Sequence, residues 1–481
     1  MERAGTASAV AEPCGLLIGG VWVRRPRSID VRNPFDGRRI AAVTAAEPED
    51  VQDAIGAAEA ALAVDFPLHA RCTVLLAAAA RIEARHDEYA HAIASEGSKT
   101  IREARREPLR AAALLRLAVE EARALGGETL PFDSRADSEN RQGYYFRFPV
   151  GVVAAITPFN DPLAVATHKV GPALAVGNAV VLKPSSATPL SALRLAEDLT
   201  AAGLPPGRLN VVTGSGEELG PALVTDPRVR LVTFTGGVAT GECIARSAGL
   251  KKLSMELGSN SPVIVLADAD LARAVPAIAA GAFAQAGQNC LGVQRVLVHE
   301  AVYDAFRTRL IHHVGTLKAG SSLDEDVDVC AMINDEQAER VESWVHEAVG
   351  RGARVLVGGR REGAVLWPTV LEDIPSGVRL DRDEVYGPVV SLYRVSSLDE
   401  AIDRANAVHY GLHAAIFTES LRDAFTAVRR LAVGAVIVND STDYRLDVMP
   451  FGGTKLSGIG REGIRFASRE MTETRVVCFN L

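Results

Sequence analysis

The sequence predicts an α/β protein, and three observations support this prediction. Between Glu47 and Leu125, apolar residues recur at three- and four-residue steps, which is the periodicity of amphipathic helices. From Phe148 onward, short β-rich apolar runs alternate with helical segments, the pattern of a parallel sheet with helices on both faces. A second alternation of this kind runs from about Asp268 to Asn439. We therefore expect two α/β units, the first of them doubly wound.

The individual elements follow from these patterns. Three segments of the N-terminal region are predicted to be helices, namely 50–62, 71–93 and 109–125. Five apolar runs are predicted to be strands of the first sheet, namely 149–157, 178–185, 209–214, 229–236 and 261–267, with a helix over 189–203 between two of them. Five further runs are predicted to be strands of the second unit, namely 295–299, 353–359, 389–395, 414–418 and 434–439.

Two β-rich segments belong to neither alternation. The polar and aromatic segment 127–147 is typical of a hairpin that leaves the body of the protein, and residues 474–481 form a lone apolar run. Isolated strands often find partners on another subunit, because an unpaired strand edge tends to recruit another chain. We therefore expect a homo-oligomer.

Composition excludes several classes of protein. The 52 basic and 60 acidic residues give a net charge of −8, which argues against nucleic-acid binding. The six cysteines form no CxxC pair, so neither a disulfide framework nor a metal site is expected, and the sequence fits a reducing cytoplasm. No apolar run is long enough for a membrane span. The first 14 residues are small and polar, so we expect a frayed terminus without a signal peptide.

Several polar residues stand where strands end or turns begin. Asn160 follows a predicted strand, Lys183 stands at the end of another, Glu256 follows an apolar strand-like stretch, and Cys290 follows a glycine-containing turn. Taken singly these positions are weak evidence, because an isolated cysteine is most often a small buried hydrophobe and such an asparagine is usually a turn residue. The glycine-rich segment 213–220, between a strand and a helix, allows a phosphate to approach the backbone, but it is also weak by itself.

The joint occurrence of these motifs is specific. TPFN, KPSS, TGSGEELG, FTGG, ELGS, GQNC, EVYGPV and PFGGTKLSGIGREG occur in this order. From about Ile18 to the C-terminus, the chain resembles the aldehyde dehydrogenase superfamily. The resemblance implies a Rossmann-like cofactor domain (1–126 and 148–257), an α/β catalytic domain (258–452), and an oligomerisation flap with the C-terminal segment (127–147 and 453–481). It also implies a homodimer or homotetramer.

The resemblance implies a role for each motif residue. Cys290 would be the nucleophile that forms a thiohemiacetal with the aldehyde, and the Asn160 amide and the Cys290 backbone N–H would stabilise its oxyanion. Glu256 would be the base that activates water for thioester hydrolysis, which favours a free-acid product over acyl transfer to coenzyme A. Lys183 would contact the adenosine ribose, and it completes the implied catalytic set of Cys290, Glu256, Asn160 and Lys183. The implied cofactor-binding set is Thr157, Pro158, Phe159, Lys183, Ser185, Ser186, Gly216, Gly220, Phe234, Thr235, Gly236, Gly237, Leu257, Glu384 and Tyr386.

The sequence departs from the family pattern at three positions. Gly237 stands where the family commonly has serine, and Ser259 stands where a glycine is usual. Ser186 stands where many NAD-specific members carry a glutamate that would repel a ribose 2′-phosphate. We therefore expect NAD as cofactor, with NADP tolerated.

The expected substrate is a small aldehyde with a polar or anionic far end. In its motif segments the chain most resembles the branch of lactaldehyde, non-phosphorylating glyceraldehyde-3-phosphate and phosphonoacetaldehyde dehydrogenases. Arg445 lies in the loop before PFGG and is a candidate for a phosphonate, sulfonyl or carboxylate group, although it could equally pair with a neighbouring aspartate. The Asp161 carboxylate would repel a dianionic substrate and favour a substrate with an amine, amide or sulfonamide group. Alternatively, Asp161 could pair with a local arginine. Arg105 and Leu291 are the remaining substrate-binding candidates.

Two other functions remain open from the sequence. A non-catalytic binding or structural protein could keep the same fold, although it would not need Asn160, Glu256, Cys290 and Glu384 together. An esterase could use Cys290 and Asn160 without a cofactor, in which case turnover would persist without NAD.

Overall fold

The structure is a computed structural model that describes residues 14–481. The frayed terminus and the absence of a signal peptide were predicted for a stretch that lies almost wholly outside the described residues. Strands and helices alternate through most of the described chain, and the strands form two large sheets. The predicted α/β fold class is confirmed. Between residues 14 and 481, no helix is long and apolar enough to cross a membrane.

The strands carry the following bounds: β1 (Leu16–Ile18), β2 (Val21–Val23), β3 (Ser28–Arg32), β4 (Arg39–Thr44), β5 (Glu128–Thr129), β6 (Arg141–Pro149), β7 (Val152–Ile156), β8 (Ala179–Lys183), β9 (Leu209–Val211), β10 (Val229–Thr235), β11 (Lys252–Glu256), β12 (Ser261–Val265), β13 (Val293–His299), β14 (Ala319–Gly320), β15 (Val329–Cys330), β16 (Arg354–Val357), β17 (Arg361–Glu362), β18 (Val365–Leu366), β19 (Thr369–Glu372), β20 (Val389–Val395), β21 (His413–Phe417), β22 (Ala435–Val438), β23 (Gly458–Ile459) and β24 (Thr472–Asn480).

The helices carry the following bounds: α1 (Pro48–Leu62), α2 (Leu68–Ala84), α3 (His86–Glu96), α4 (Ile101–Ala104), α5 (Arg106–Ala124), α6 (Ala164–Ala175), α7 (Leu190–Ala201), α8 (Gly216–Thr225), α9 (Val238–Ser247), α10 (Leu271–Phe283), α11 (Glu300–Gly315), α12 (Asp335–Gly350), α13 (Arg379–Arg382), α14 (Leu398–Asn406), α15 (Leu421–Arg430) and α16 (Ile464–Glu470). Short 3₁₀ turns lie at Phe132–Ser134, Ala284–Gly287 and Lys455–Ser457.

The first sheet has eight strands in the order β2-β1-β9-β8-β7-β10-β11-β23. Its five central strands, from β9 to β11, are parallel, while β1 and β23 pair antiparallel to them. Every residue of β8 is buried, as expected for a strand covered by helices on both faces. Since parallel strands end at the same edge of a sheet, the residues that follow β7, β8, β10 and β11 converge there.

The last strand of this sheet comes from the far end of the chain. Strand β23 lies beside β11, with Ile459 opposite Met255 and Gly458 opposite Glu256. Gly458 has a φ of 149°, and a Cβ there would lie 2.2 Å from the Met255 carbonyl oxygen. Only glycine allows this close approach, so the edge of the first sheet depends on a residue more than two hundred positions beyond β11.

The second sheet has seven strands in the order β16-β19-β20-β13-β12-β21-β22. The prediction that residues 261–267 belong to the first sheet is wrong, because β12 pairs with β13 and β21 of the second sheet. All its pairings are parallel except that between β16 and β19. Two buried apolar clusters cover it, one built largely from α10, α11 and α12 and the other from α14 and α15. Strand β22 forms one edge of this sheet, and the loop that follows it carries Arg445.

The two isolated β segments pair with each other inside the chain. Strand β24 runs antiparallel to β6 over nine residue pairs, from Thr472 opposite Pro149 to Asn480 opposite Arg141, and β5 pairs with the other edge of β6. The expected union of segment 127–147 with the C-terminal strand in one flap is therefore confirmed. Strand β6 is paired on both edges, so it needs no strand from another subunit. Pairing with a neighbouring chain stays a prediction for β24, whose outer edge has no partner strand within the described chain.

Candidate active site

A cleft of about 450 Å³ opens where the carboxyl edge of the first sheet faces the second unit. Its walls come from both units, so the sequence-distant motifs meet there. The lining residues are Thr157, Pro158, Phe159, Asn160, Lys183, Ser185, Ser186, Phe234, Thr235, Gly236, Gly237, Thr240, Glu256, Leu257, Gly258, Cys290, Gln337, Arg340, Glu384 and Tyr386. The four implied catalytic residues and most of the implied cofactor-binding residues are thus brought together.

Asn160 lies in the turn between β7 and α6, and buried hydrogen bonds hold that turn. The Glu107 carboxylate accepts the backbone N–H groups of Leu163 and Ala164, both at 2.8 Å. The Thr188 hydroxyl donates to the Phe159 carbonyl at 3.3 Å. Because its backbone is fixed on both sides, the buried Asn160 amide has a defined position in the cleft wall.

A buried ion cluster lies beside this turn. The Lys99 ammonium, whose residue is only 4% exposed, contacts the Asp161 carboxylate and lies 2.6 Å from Oε2 of Glu107. The Gln285 amide approaches the same Asp161 oxygen at 3.4 Å. Burial raises the pKa of Asp161, but Lys99 and Arg110 more than offset it and hold that pKa below its usual range. Asp161 therefore pairs with a lysine, where the sequence suggested an arginine.

Cys290 follows the 3₁₀ turn after α10, and it stands three residues before β13. Gln285 and Ala286 both have positive φ in this turn, at 54° and 53°, which redirects the chain toward the cleft. Burial raises the pKa of the Cys290 thiol, and Arg445 is the cation that opposes this rise. The thiol is thus neutral at ordinary pH and must lose its proton to act as a nucleophile.

Glu256 is the last residue of β11 and faces the same cleft. It is 2% exposed, and neither carboxylate oxygen has a hydrogen-bond partner within the described chain. Burial, and next the Glu462 carboxylate, raise the pKa of Glu256 well above its usual range. A buried carboxylate without donors has a strong tendency to take up a proton, as a general base requires.

Behind Glu256 lies a second buried ion cluster, which includes Arg445. The Glu462 carboxylate lies 2.8 Å from the Lys169 ammonium and 3.5 Å from the Arg445 guanidinium. Arg445 stacks on Phe451 at 3.6 Å from the ring centroid and approaches His168 Nε2 at 3.3 Å. Its side chain is 13% exposed, and its buried Nε has no hydrogen-bond partner among residues 14–481.

Neither neighbouring aspartate pairs with Arg445. Asp447 binds the Arg110 guanidinium through two forked contacts, with a shortest distance of 2.7 Å. Asp443 accepts a hydrogen bond from the side-chain amide of Asn289, the residue before Cys290. The alternative in which Arg445 pairs with Asp443 or Asp447 is therefore wrong, because its ion-pair partner is Glu462.

The opposite side of the cleft has the features that a dinucleotide requires. Glu384 accepts the Ser259 backbone N–H at 2.9 Å, and burial raises its pKa to about 7. A Cβ at Gly258 would lie 2.1 Å from Glu384 Oε2, so a larger residue there would force this carboxylate out of its position. Tyr386 meets Phe159 edge to face, with 5.9 Å between the ring centroids.

Several polar groups here lack partners within the described part of the chain. The buried hydroxyls of Thr157 and Thr235 accept and donate no hydrogen bond. Gly237 precedes α9, whose first N–H groups no side chain caps. A helix N-terminus of this kind attracts phosphate. Beyond Lys183, whose pKa burial lowers to about 8, a mostly apolar cavity of about 760 Å³ is lined by Gly216, Gly220 and Phe234. The residues fit a bound nicotinamide dinucleotide.

None of the four substrate-binding candidates is among the residues that line the cleft. Asp161 and Arg445 lie in the buried ion clusters described above, and Leu291 is buried with Phe451 beside Cys290. The Arg105 side chain is 46% exposed and forms an ion pair with Glu325 at 2.5 Å. Because Arg105 forms its ion pair at the protein surface, we no longer propose that it lines the substrate site. Sequence reasoning also missed Thr240, Gly258, Gln337 and Arg340, which line the cleft. Gln337 and Arg340 stand three residues apart on α12, a spacing that alone carries no functional signal.

The profile of the Aldehyde dehydrogenase family matches residues 22–477. The chain belongs to this family. The aldehyde dehydrogenase fold, the enzyme class and the use of NAD or NADP, all predicted from the motifs, are thereby confirmed, and the non-catalytic alternative falls. The domain boundaries and the roles of single residues stay predictions.

Three known proteins illustrate the breadth of similar dehydrogenases. Aspartate-semialdehyde dehydrogenase 1 of Pseudomonas canavaninivorans is 46% identical over 455 residues, covering 94% of this chain and 97% of that protein. The 3-sulfolactaldehyde dehydrogenase of Priestia aryabhattai is 44% identical over 467 residues, covering 97% and 98%. The crystal structure of NADP-dependent glyceraldehyde-3-phosphate dehydrogenase from Bacillus halodurans, complexed with NADP, has a TM-score of 0.95 and 37% identity, covering 98% of this chain and 100% of that one.

Proposed function

We propose that this aldehyde dehydrogenase oxidises a small aldehyde with an anionic far end to the carboxylic acid, with Cys290 as the nucleophile. The observation that carries the proposal is the cleft in which Asn160, Glu256 and Cys290 lie together. An amide donor, a donor-free carboxylate and a thiol suffice for addition to a carbonyl and for hydrolysis of the resulting thioester.

The reaction begins with removal of the thiol proton. Glu256 accepts this proton, for which its raised pKa suits it, and the Cys290 thiolate then adds to the carbonyl carbon. The Asn160 side-chain amide and the Cys290 backbone N–H donate hydrogen bonds to the oxyanion. A dinucleotide held beside Glu384 and Tyr386 would supply the hydride acceptor. Glu256 releases the first proton to solvent and then takes a proton from water, whose oxygen attacks the thioester carbon. The C–S bond breaks, the acid leaves, and the Cys290 thiolate takes a proton back from Glu256.

Arg445 is proposed to bind the far end of the substrate. It is the leading cationic influence on the Cys290 thiol. Its Nη2 faces Glu462 and His168, whereas its Nε is buried without a partner in the described chain. A guanidinium offers a planar fork of donors to a carboxylate, sulfonate or phosphate. The names of the three similar dehydrogenases refer to aldehydes with a carboxylate, a sulfonate and a phosphate, which supports the anionic class.

NAD is the proposed preferred cofactor, with NADP accepted. Ser186 lines the cleft where a glutamate would exclude a 2′-phosphate. The variant Ser186→Glu should lower kcat/KM with NADP by roughly tenfold or more while changing the value with NAD far less, because only NADP carries the added charge. An equal loss with both cofactors would contradict this account.

We also propose a homodimer or homotetramer in the cytoplasm. The unpaired outer edge of β24 is the surface that would pair with a neighbouring chain, and all six cysteines are free, as expected in a reducing compartment. Light scattering on the full chain should give a multiple of the chain mass, and a proline placed in β24 at Val476, an exposed position, should lower it. A wild-type monomer would refute the assembly.

The test of the function is formation of reduced cofactor over a panel of short aldehydes. The far ends should include carboxylate, sulfonate, phosphonate, hydroxyl and plain alkyl groups, with Cys290→Ala as the control. Arg445→Met should raise KM for an anionic aldehyde far more than for propanal. Equal effects on both would exclude Arg445 as the anchor. Turnover of an activated ester without cofactor, and no cofactor reduction with any aldehyde, would favour the esterase.

A further inference from the structure

Gln294 is a buried side chain that joins the two stretches of backbone around Glu384. Glu384 lies between α13 and β20, and Ser259, whose N–H it accepts, lies between β11 and β12. Both stretches lie outside the regular helices and strands, so their relative position depends on bonds from side chains. Gln294 is only 6% exposed and contacts both of them.

The Gln294 amide uses both of its polar groups for this bridge. Its Nε2 donates to the Ser259 carbonyl at 2.9 Å, and its Oε1 accepts the Val385 N–H at 2.8 Å. The Val385 carbonyl accepts a further hydrogen bond from Arg340, also at 2.8 Å. Gln294 therefore ties the residue that donates to the Glu384 carboxylate to the residue that follows Glu384 in the chain.

An irregularity in β13 makes this side chain available. Ser261 of β12 lies opposite Val293, and the next residue, Pro262, lies opposite Arg295. Gln294 is thus an extra residue in this pairing, as in a β-bulge, which redirects a side chain and is common beside active sites. The pairing of β13 with β20 also begins only at Arg295.

The bridge bears on the charge of Glu384 as well as on its position. Burial raises the pKa of Glu384 to about 7, and the Ser259 backbone N–H, followed by Arg340, opposes this rise. A hydrogen bond of this kind favours the ionised carboxylate. Displacement of Ser259 would therefore leave Glu384 both less fixed and less charged.

We infer that Gln294 is a positioning residue for cofactor binding, because its amide holds the Glu384 carboxylate in the place where the dinucleotide binds. This inference rests on the proposed function, since it assumes that Glu384 contacts the cofactor. Gln294 is not among the residues that line the cleft, so it acts through Glu384. It stands four residues after Cys290, and one short segment thus carries the nucleophile and the bridge to the cofactor contact.

A neighbouring pair of bonds should preserve the fold when the bridge is removed. The Asn260 side chain donates to the Asp383 carbonyl at 3.0 Å, and Arg295 donates to the Asn260 side-chain oxygen at 2.9 Å. These bonds join the same two stretches beside Gln294. Loss of the Gln294 amide should therefore displace its two backbone partners locally.

Calorimetric titration of Gln294→Met with NAD, without aldehyde, measures the effect on binding. Methionine is unbranched and flexible, so it fills the space without making either hydrogen bond. We expect the Kd for NAD to rise roughly tenfold, the size of one hydrogen bond to a charged group. The rate of Cys290 alkylation in the cofactor-free enzyme should stay within about twofold of the wild-type rate, because the thiol is not part of the bridge.

Asn406→Leu is the matched control. The Asn406 amide likewise bridges two backbone groups, because it donates to the Arg430 carbonyl at 2.9 Å and accepts the Ala432 N–H at 2.8 Å. It is not among the residues that line the cleft. The Kd for NAD should therefore keep its wild-type value in this variant.

A double-mutant cycle tests whether Gln294 acts through Glu384. In a Glu384→Ala background, Gln294→Met should raise the Kd for NAD by less than about twofold, because the carboxylate that it positions is absent. A full tenfold rise in that background would overturn the inference. If Glu384→Ala alone leaves the Kd unchanged, the cofactor contact and the inference both fall.

The remaining outcomes also decide the inference. An unchanged Kd in Gln294→Met, an equal rise in Asn406→Leu, or Cys290 alkylation altered as strongly as the Kd would overturn it. If Gln294→Met fails to fold, Gln294→Asn replaces it, since its shorter amide cannot span both backbone groups. Its Kd should rise about threefold, and an unchanged value would overturn the inference. Failure of the wild type to oxidise any aldehyde, with the expected changes in Kd, would overturn the proposed substrate oxidation and leave the positioning role standing.

Discussion

Replacing Lys99 by methionine should destabilise the protein strongly while leaving its shape nearly unchanged. At 2.6 Å and an effective dielectric constant of ~20, the attraction between Lys99 and Glu107 is about 6 kcal/mol before the cost of burial is subtracted. What remains after the change is a pair of buried carboxylates, on Glu107 and Asp161, without their shared cation. Breaking a buried ion pair in this way typically costs about 3–5 kcal/mol. We expect a loss of that size in the free energy of unfolding.

Urea unfolding of the full chain, followed by circular dichroism, measures this loss. The same substitution in a Glu107→Gln/Asp161→Asn background should cost only about 1 kcal/mol, because no charge is then left uncompensated. Lys318→Met is the matched control, since Lys318 is exposed and lies 3.8 Å from Asp326. It should cause no measurable change.

The pH dependence provides a second readout. Without Lys99, burial dominates and raises the carboxyl pKa values in the folded state above those in the unfolded chain. The folded variant then binds more protons than the unfolded variant, so its deficit should shrink as the pH falls below neutral. A loss below about 1 kcal/mol, or an equal loss in the neutralised background, would refute the reasoning.

Three further predictions concern the cleft. Asn160→Ala should lower kcat by roughly 10²–10³ without a comparable change in cofactor affinity, because it removes an oxyanion donor; steady-state kinetics with a kcat loss below tenfold would argue against that role. Gly258→Ala should displace Glu384, whose Oε2 lies 2.1 Å from the new Cβ, and raise KM for NAD roughly tenfold or more, whereas an unchanged KM would contradict the assigned contact. Alkylation of Cys290 in the cofactor-free enzyme, followed by peptide mass spectrometry, should be slow at pH 7 and accelerate through pH 9, because burial raises the thiol pKa. Arg445→Met should slow it further at every pH, and faster alkylation in this variant would contradict the assigned influence of Arg445.

Local sequence patterns were sufficient for the fold class and for much of the cleft. Asn160 and Glu256 could be located because Asn160 lies in the turn after a buried strand and Glu256 ends another. The carboxyl edge of a parallel sheet brings such residues together. Cys290 needed the ordered family motifs, since its own surroundings are those of an ordinary turn. The pairing of β6 with β24 agrees with the sequence expectation that segment 127–147 and the C-terminal strand form one flap.

Charge pairing was beyond the reach of the sequence. Lys99 and Asp161 stand 62 residues apart, and Arg105 and Glu325 stand 220 apart. No periodicity links such positions. The sequence therefore suggested an arginine as the partner of Asp161, which pairs with Lys99, and placed Arg105 at the substrate site, whereas it pairs with Glu325 at the surface. The partners of Arg445 were missed for the same reason. Glu462 lies within the GREG motif, but nothing local indicates that it, and not Asp443 or Asp447, faces the guanidinium.

The return of β23 to the first sheet has a consequence for synthesis of the chain on the ribosome. Strand β11, with Glu256 at its end, cannot complete its outer pairing until residues 458 and 459 have left the exit tunnel. Chains interrupted by a late stop codon would therefore carry every catalytic motif except the final one and still expose a strand edge beside the reactive centre. Such fragments should aggregate rather than persist as partly active enzyme, since an open edge recruits other chains.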